Sequence, residues 1–270
     1  MSTTSDPTTM NARTRREEIL RLARASGLAS VDELSRMFQV TSSTIRRDLT
    51  QLTQSGQLAR TYGGAMPIEG VAETTVSERA AEAKSAKRAI ARRAATEIQP
   101  GEHVFLDAGT TAGGALAREL FWKGPLTVVT TSLTALTALE GAKDLVLTST
   151  GGAYRAMSEA FVGPIAEAAL ETMTFDRVFL GTDGVDPEFG VCEATTEQSR
   201  LKAIVMSRAP ELYVLAHGEK VGARPFHSWT YLERSWHLIT DTTADERVLD
   251  EFRTQGVDVI VVDANPDRSP

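Results

Sequence analysis

Between Thr41 and Gly56, in TSSTIRRDLTQLTQSG, apolar positions recur with a helical period. At about 100° per residue, Ile45, Leu49 and Leu52 fall at roughly 0°, 40° and −20°, a narrow stripe able to dock on a small core. Ser43, Arg47, Thr50 and Gln54 take the opposite side, and Arg46 the flank. Thr41, Ser42 and Ser43 are all N-cap candidates. Upstream, residues 13–26 read as a helix with Ile19, Leu20 and Ala23 on one face and a stop at Gly27. Ser30-Val-Asp-Glu33 has capping-box spacing and opens a short helix whose Val31, Leu34 and Phe38 share a face. Downstream, residues 58–62 and 65–66 flank Gly63-Gly64 and read as a β-hairpin, with Arg60 and Tyr62 on one strand face. Two helices, an arginine-bearing helix and a hairpin make a winged helix-turn-helix over residues 12–68, behind a disordered tail at 1–11.

After a linker at 69–77, residues 78–98 (ERAAEAKSAKRAIARRAATEI) read as one Ala-rich helix. Ile90, Ala91, Ala94 and Ile98 form its apolar stripe, and Lys84, Lys87, Arg88, Arg92 and Arg93 its solvated face. Seven β-rich runs follow: HVFLDAG, LTVVTTS, DLVLTST, DRVFLGTDG, ELYVLA, HLIT and VDVIVVD. Residues 115–122, 158–173, 195–208 and 243–254 are helical between them. Apolar strands separated by helices predict an α/β domain over 78–270, its mainly parallel sheet covered on both faces.

Ligands of such sheets bind beyond the C-terminal strand ends, and the polar chemistry collects there. Asp107-Ala-Gly109-Thr110-Thr111 ends the first strand, Thr130-Thr131-Ser132 the second, Gly151-Gly152 with Arg155 the third, and Gly181-Thr-Asp183-Gly184 the fourth. Lys220 follows the fifth, close behind His217. Glycine lets a backbone approach closely, hydroxyls and helix N–H groups hold phosphate, and carboxylates hold sugar hydroxyls. One rim carrying all of these suits a phosphorylated sugar.

Charge divides unevenly. Residues 1–64 carry nine Arg and no Lys against six Asp and Glu, a net of +3, and the rest of the 270-residue chain sums to −10. A cationic module on an acidic body fits an anchor to nucleic acid. On the arginine helix, Arg46 and Arg47 can read guanine edges, and Thr41, Ser42, Ser43, Thr44 and Thr50 can bond bases or phosphates. Arg60 and Tyr62 would add contacts from the hairpin. Cys192 is the single cysteine, so no intrachain disulfide forms, as suits a reducing cytoplasm. The N-terminus lacks signal-peptide patterning and no run approaches ~18 apolar residues, so a cytoplasmic protein without a membrane partner is expected. No cofactor and no metal are called for.

REEIL, TSSTIRRDLTQL and RTYGGA, then LDAGTT, VVTTSL, GGAYR, FLGTDGV, the K-V-G after the fifth strand and LITD, resemble the DeoR family of bacterial transcriptional regulators from about Arg13 onward. The resemblance implies that Thr44, Arg46 and Arg47 belong to a recognition helix and Asp48 to its structure, paired with an arginine. It implies an effector domain similar in fold to ribose-5-phosphate isomerases and CoA transferases, sensing a phosphorylated sugar through Asp107, Thr110, Thr111, Gly151, Gly152, Arg155, Asp183 and Lys220. The chain departs from the family with Thr131 where Asn is frequent, Lys202 where a lysine is usual near 201, and His217 where Asp is frequent. With Gly109, Ser132 and Gly184 these complete the candidate pocket.

Three functions compete. The first is a repressor that binds double-stranded operator DNA as a homodimer or homotetramer and is released by a phosphorylated sugar. The second is a sugar-phosphate isomerase fused to a DNA-binding module, with Asp107, Asp183 and Glu193 as acid and base. The third is a scaffold whose arginine helix binds protein. On the first reading, Arg47→Ala costs about 1–3 kcal/mol of operator binding and relaxes specificity. Arg60→Ala instead weakens all sequences alike and flattens the salt slope by about one. Gel shifts across a salt series separate the two effects.

Overall fold

Thr41, among the three hydroxyl residues able to start the arginine helix, is the one that caps it: its Oγ1 accepts from the Thr44 N–H at 3.2 Å. This is seen in a computed structural model that describes residues 11–26, 29–54, 58–61, 64–67, 73–233 and 235–264. By its contacts the chain divides into two units, Met1–Thr74 and Thr75–Pro270.

The first unit contains α1 (Ala12–Ser26), β1 (Ala29–Ser30), α2 (Val31–Phe38), α3 (Ser42–Gln54), β2 (Leu58–Thr61) and β3 (Gly64–Pro67). The capping box forms: Glu33 N–H donates to Ser30 Oγ at 3.1 Å and Ser30 N–H to the Glu33 carboxylate at 3.2 Å. Ile19, Leu34, Phe38, Ile45, Leu49 and Leu52 bury together, so the stripe read at α3 is the core-facing side. β2 and β3 pair antiparallel with Thr61 opposite Gly64, and β1, absent from the sequence reading, pairs with β3. That register makes Gly64 a strand residue rather than a turn residue. Tyr62 and Gly63, like Gly27, lie outside the described residues.

Asp48 does not pair with the arginines beside it. Its Oδ2 accepts from Arg15 Nε of α1 at 2.7 Å, and Arg16 approaches Oδ1 at 3.5 Å. Asp48 and Arg15 are only 4 % and 8 % exposed, so this is a buried tie from α3 to α1 rather than a surface pair.

The second unit opens with α4 (Val76–Ala81) and α5 (Lys84–Glu97) where one helix was expected. Glu82 is extended and Ala83 left-handed at φ 45°. Helix propensity loses here to tertiary bonds: Arg79 of α4 reaches Asp183 at 3.1 Å, and Lys87 of α5 donates from Nζ to the Arg79 carbonyl at 2.5 Å. Lys87 is therefore buried, not part of the solvated face.

Next come β4 (His103–Leu106), a π-type helical stretch at Thr110–Leu116 running into α6 (Ala117–Leu120), β5 (Leu126–Thr130), α7 (Leu133–Leu139) and β6 (Leu145–Ser149). Then follow β7 (Ala153–Arg155), β8 (Ala160–Val162), α8 (Pro164–Glu171), β9 (Arg177–Leu180), β10 (Gly184–Asp186) and β11 (Gly190–Glu193). The chain continues through α9 (Thr196–Met206), β12 (Glu211–Leu215), β13 (Ser228–Thr230), β14 (His237–Asp241), α10 (Glu246–Thr254) and β15 (Asp258–Val262).

All seven expected strands join one parallel sheet in the order β15-β14-β12-β9-β4-β5-β6. Alternate residues feed opposite cores, as both-face burial requires. Val104, Leu106 and Phe179 pack in one layer with Ile90 and Ala94 of α5, and Phe105, Val178 and Leu180 in the other with Leu170, Val205 and Phe252. Residues 158–173 are not one helix, because 160–162 pair with 153–155 in a hairpin and α8 starts at Pro164. Proline at a first helical turn was the available sign. A small antiparallel sheet, β10-β11-β13, and α7 were not anticipated.

Asp48→Ala leaves the buried Arg15 guanidinium without its carboxylate. It should destabilise the first unit by about 3 kcal/mol, read as lost hydrogen-exchange protection of the α3 amides.

Candidate functional site

The chain enters the large sheet at its centre. From β4 it winds outward through β5 to β6, then returns to the other side of β4 at β9. The crevice beyond the C-terminal ends of β4 and β9 is thus the topological switch point, where open α/β sheets bind ligands. A cleft lies there, lined among others by Arg79, Asp107, Thr110, Ser158, Asp183, Glu193, Lys202 and Lys220.

Lys202 sits at the bottom, 4 % exposed. Thr195 caps α9, and Gln198 and Lys202, four residues apart, share its inward face. The Lys202 ammonium pairs with Asp107 Oδ2, donates to the Gly181 carbonyl at 2.7 Å and meets Glu193 Oε1 at 3.0 Å. Asp107 Oδ2 also accepts the Gly181 N–H at 3.2 Å, stitching the β4 end to the β9 end. Gln198 holds the other oxygen of Glu193 at 3.0 Å. Burial opposes the Lys202 charge, but Asp107 and Glu193 outweigh it and raise the lysine pKa. Burial raises Glu193, more than Lys202 lowers it, and Asp183 and Asp107 add to the rise.

The second charge group is cationic. Arg79 donates to Asp183 Oδ1 at 3.1 Å, Lys220 Nζ lies 3.9 Å from the same oxygen, and it bonds the Thr182 carbonyl. Behind them, burial and then Lys220 lower Lys87 to about 8. Burial also lowers Lys220, against the pull of Asp183, with Arg79 adding to the lowering. Burial, then Lys220 and Lys87, lower His217 to about 4. Arg79 and Lys220 converge on Asp183, a pair of cations able to meet an incoming anion. Ser158 Oγ, 3 % exposed and lining the cleft, has no hydrogen-bond partner among the described residues. A ligand hydroxyl would satisfy it.

Of the expected pocket residues, Asp107, Gly109, Thr110, Thr111, Thr131, Asp183, Lys202 and Lys220 line the cleft together. Ser132, Gly151, Gly152, Arg155, Gly184 and His217 do not. Ser132 is fully buried and caps α7 through Ala135 N–H at 3.1 Å. Gly152 has φ 115°, and a Cβ there would stand 2.6 Å from the Val162 carbonyl, so it serves the β7–β8 hairpin. A Cβ on Gly184 would meet the Ala223 carbonyl at 2.3 Å. Arg155 lies on β7, and His217 is buried behind Lys220. Arg79, Ser158, Thr182 and Gln198 were missed, and Glu193 was considered only as a catalytic base.

On the first unit, Arg46 and Arg47 are exposed, and their guanidinium groups have no intramolecular partner among the described residues. Other hydroxyls are occupied. Thr41 serves the cap and contacts Ser43 Oγ at 2.8 Å and Thr44 Oγ1 at 2.9 Å, Ser42 lies 3.4 Å from Ser35 Oγ, and Thr50 donates to the Arg46 carbonyl at 2.7 Å. Arg60 stands on β2, opposite Ala65. Tyr62 lies outside the described residues.

Residues 15–71 match the DeoR-like helix-turn-helix domain and residues 82–242 the DeoR C terminal sensor domain. The chain belongs to the DeoR family of transcriptional regulators. Similar DeoR-family relatives include the HTH-type transcriptional regulator GlpR of Haloferax volcanii, 35 % identical over 91 % of this chain and 96 % of that one. The putative aga operon transcriptional repressor of Escherichia coli O157:H7 is 33 % identical over 92 % and 93 %. The lactose phosphotransferase system repressor of Streptococcus mutans is 30 % identical over 88 % and 96 %. Among solved structures, ribose 5-phosphate isomerase A of Methanocaldococcus jannaschii aligns with 50 % of this chain and 52 % of its own at 20 % identity and a TM-score of 0.32, too distant to bear on function.

The low pKa of His217 has a defined sign in stability. Between about 4 and the ordinary 6.5 the unfolded chain binds a proton that the folded sensor domain does not. The stability that goes with neutral His217 is full above 6.5 and is lost as pH falls towards 4. From pH 7 to pH 5 this amounts to about 2 kcal/mol. His217→Leu should remove that part of the acid slope. Urea unfolding followed by tryptophan fluorescence measures it, since Trp122, Trp229 and Trp236 all lie in the second unit.

Proposed function

We propose that this DeoR-family chain is a repressor of carbohydrate-metabolism genes, released from its operator by a phosphorylated sugar bound at the switch-point cleft. The observation that carries this is that one cleft is lined both by cations and by hydrogen-bonding groups. Arg79 and Lys220, with Lys87 behind, form a cationic end suited to a phosphate. Asp107, Glu193, Lys202, Ser158 and Thr131 supply hydrogen-bonding groups suited to hydroxyls. The relatives named as repressors of lactose and aga systems support the sugar link. Relatives that are regulators along nearly their whole length support sensing rather than turnover, and the isomerase reading is not favoured.

In this reading α3 enters the major groove in the cytoplasm, with Arg46 and Arg47 at base edges. One winged module reads few bases, so two or four chains act together on half-sites about 34–36 Å apart or at multiples of that spacing. A thousand-fold release needs about 4 kcal/mol of differential effector binding.

Screening phosphorylated sugars by thermal shift identifies the effector. At 100 times its dissociation constant it adds about 2.7 kcal/mol of stability. Lys220→Ala should abolish the shift and the effector's ability to free DNA in gel shifts, while leaving effector-free operator binding intact. A positive shift that survives in Lys220→Ala removes the cationic end from the effector site. No shift with any sugar phosphate overturns the effector reading.

A further inference from the structure

We propose that the seam between α5 and the π-type helical stretch is a second ligand site of the sensor domain, separate from the switch-point cleft, for a compact anion that carries two or more phosphate groups.

Small residues bring the two walls of the seam together. Ala91 and Ala94 of α5 share a core with Ala112 and Leu116 of the π-type stretch. Beside that contact runs a groove of about 350 Å³, a volume in the range of small-molecule pockets. Thr110, the first residue of the π-type stretch, lines both this groove and the switch-point cleft, so the stretch is a wall common to two pockets. Such π-type segments are rare and recur at functional sites.

The charge on the walls is one-sided. Lys84, Arg88 and Arg92 recur every four residues on α5, so they stand about 6 Å apart along one flank of the helix. Arg118 comes from α6. A Cβ added at Gly114 would stand 3.7 Å from Arg118 Nη2 and 3.9 Å from Thr134 Cγ2, which puts this guanidinium beside Gly114 and the Thr134 side chain. All four cations are exposed. The side chains of Lys84, Arg88 and Arg118 make no hydrogen bond or ion pair among the described residues. Arg92 has Glu119 at 3.8 Å, too far for a hydrogen bond.

Glu119 is the one carboxylate lining the groove among the described residues, so four cations less one carboxylate leave a net +3. Two neighbours are already engaged. Glu159 accepts from Thr134 Oγ1 at 2.7 Å, and Lys87, which also lines the groove, is buried and donates inward to the Arg79 carbonyl. This concentration of positive charge stands on a body that is net acidic.

A concave surface lined by one sign of charge concentrates the opposite ion. Guanidinium forks bind phosphate oxygens in pairs. Cations spread over about 12 Å of helix suit two or more phosphate groups better than one. A groove of this volume admits a small molecule and leaves room for the frame that joins those groups, whereas it does not admit a duplex.

Calorimetric titration of the full chain at low salt, without DNA, tests the site with inorganic diphosphate as the probe. Arg88→Ala and Arg118→Ala, both at exposed positions, should each weaken diphosphate binding about tenfold, the loss of one charge-assisted partner. Arg247→Ala, an exposed cation of α10 on the opposite face of the sheet, should leave it unchanged. Lys220→Ala should also leave it unchanged, so this result stands or falls independently of the effector reading of the cleft. The two groove variants should keep wild-type affinity and salt slope for a duplex that the wild type selects from random sequence. No binding of diphosphate by the wild type overturns the proposal, as does binding lost in Lys220→Ala and kept in both groove variants. Citrate bound as tightly as diphosphate overturns the preference for phosphate. A salt slope flatter by about one in each groove variant assigns the row to DNA phosphates and overturns the small-molecule site.

Discussion

One buried ammonium organises the sensor domain. Lys202 is held by two carboxylates and a carbonyl that come from the ends of β4, β9 and β11. None of these groups can be buried without the others, since an isolated charge out of water is far more costly than a paired one. The cluster therefore ties the two central strands, the small antiparallel sheet and α9 into a single arrangement. The cleft beside it inherits fixed charges at fixed places, which is what a selective binding site needs.

A second group, centred on Asp183, differs in kind. There the basicity of Lys87, Lys220 and His217 is depressed by burial and mutual repulsion. The Lys202 cluster fixes the strand ends, and Arg79 and Lys220 beside Asp183 place positive charge in the same cleft.

Much of this was legible in the residues, for identifiable reasons. Strands buried on both faces are written as continuous apolar runs, and all seven could be read. The capping box at Ser30 and the stripe of Ile45, Leu49 and Leu52 are local patterns, and local patterns survive folding. Asp107, Asp183 and Lys220 were found because strand ends in parallel sheets converge, and Lys202 through the family resemblance. Arg79 and Ser158 were not, because each reaches the cleft from an element whose placement depends on the tertiary fold: α4 broken from α5, and the β7–β8 hairpin misread as helix. Glycines misled in the opposite direction. Gly152 and Gly184 serve close backbone packing, and a glycine in a turn carries the same letter whether its missing side chain makes room for a ligand or for a carbonyl.

The strand order has a consequence for how the molecule is made. Synthesis proceeds from the N-terminus, so the winged module is complete once Pro67 has emerged. The cleft draws on residues from Arg79 to Lys220, and β4 lacks its neighbour β9 until more than seventy further residues are translated. A nascent chain therefore holds a finished DNA-binding part attached to an unfinished sheet with open edges and exposed apolar faces, the condition in which non-local pairing is slow and aggregation competes. The order of manufacture finishes the helix-turn-helix module before the sensor domain.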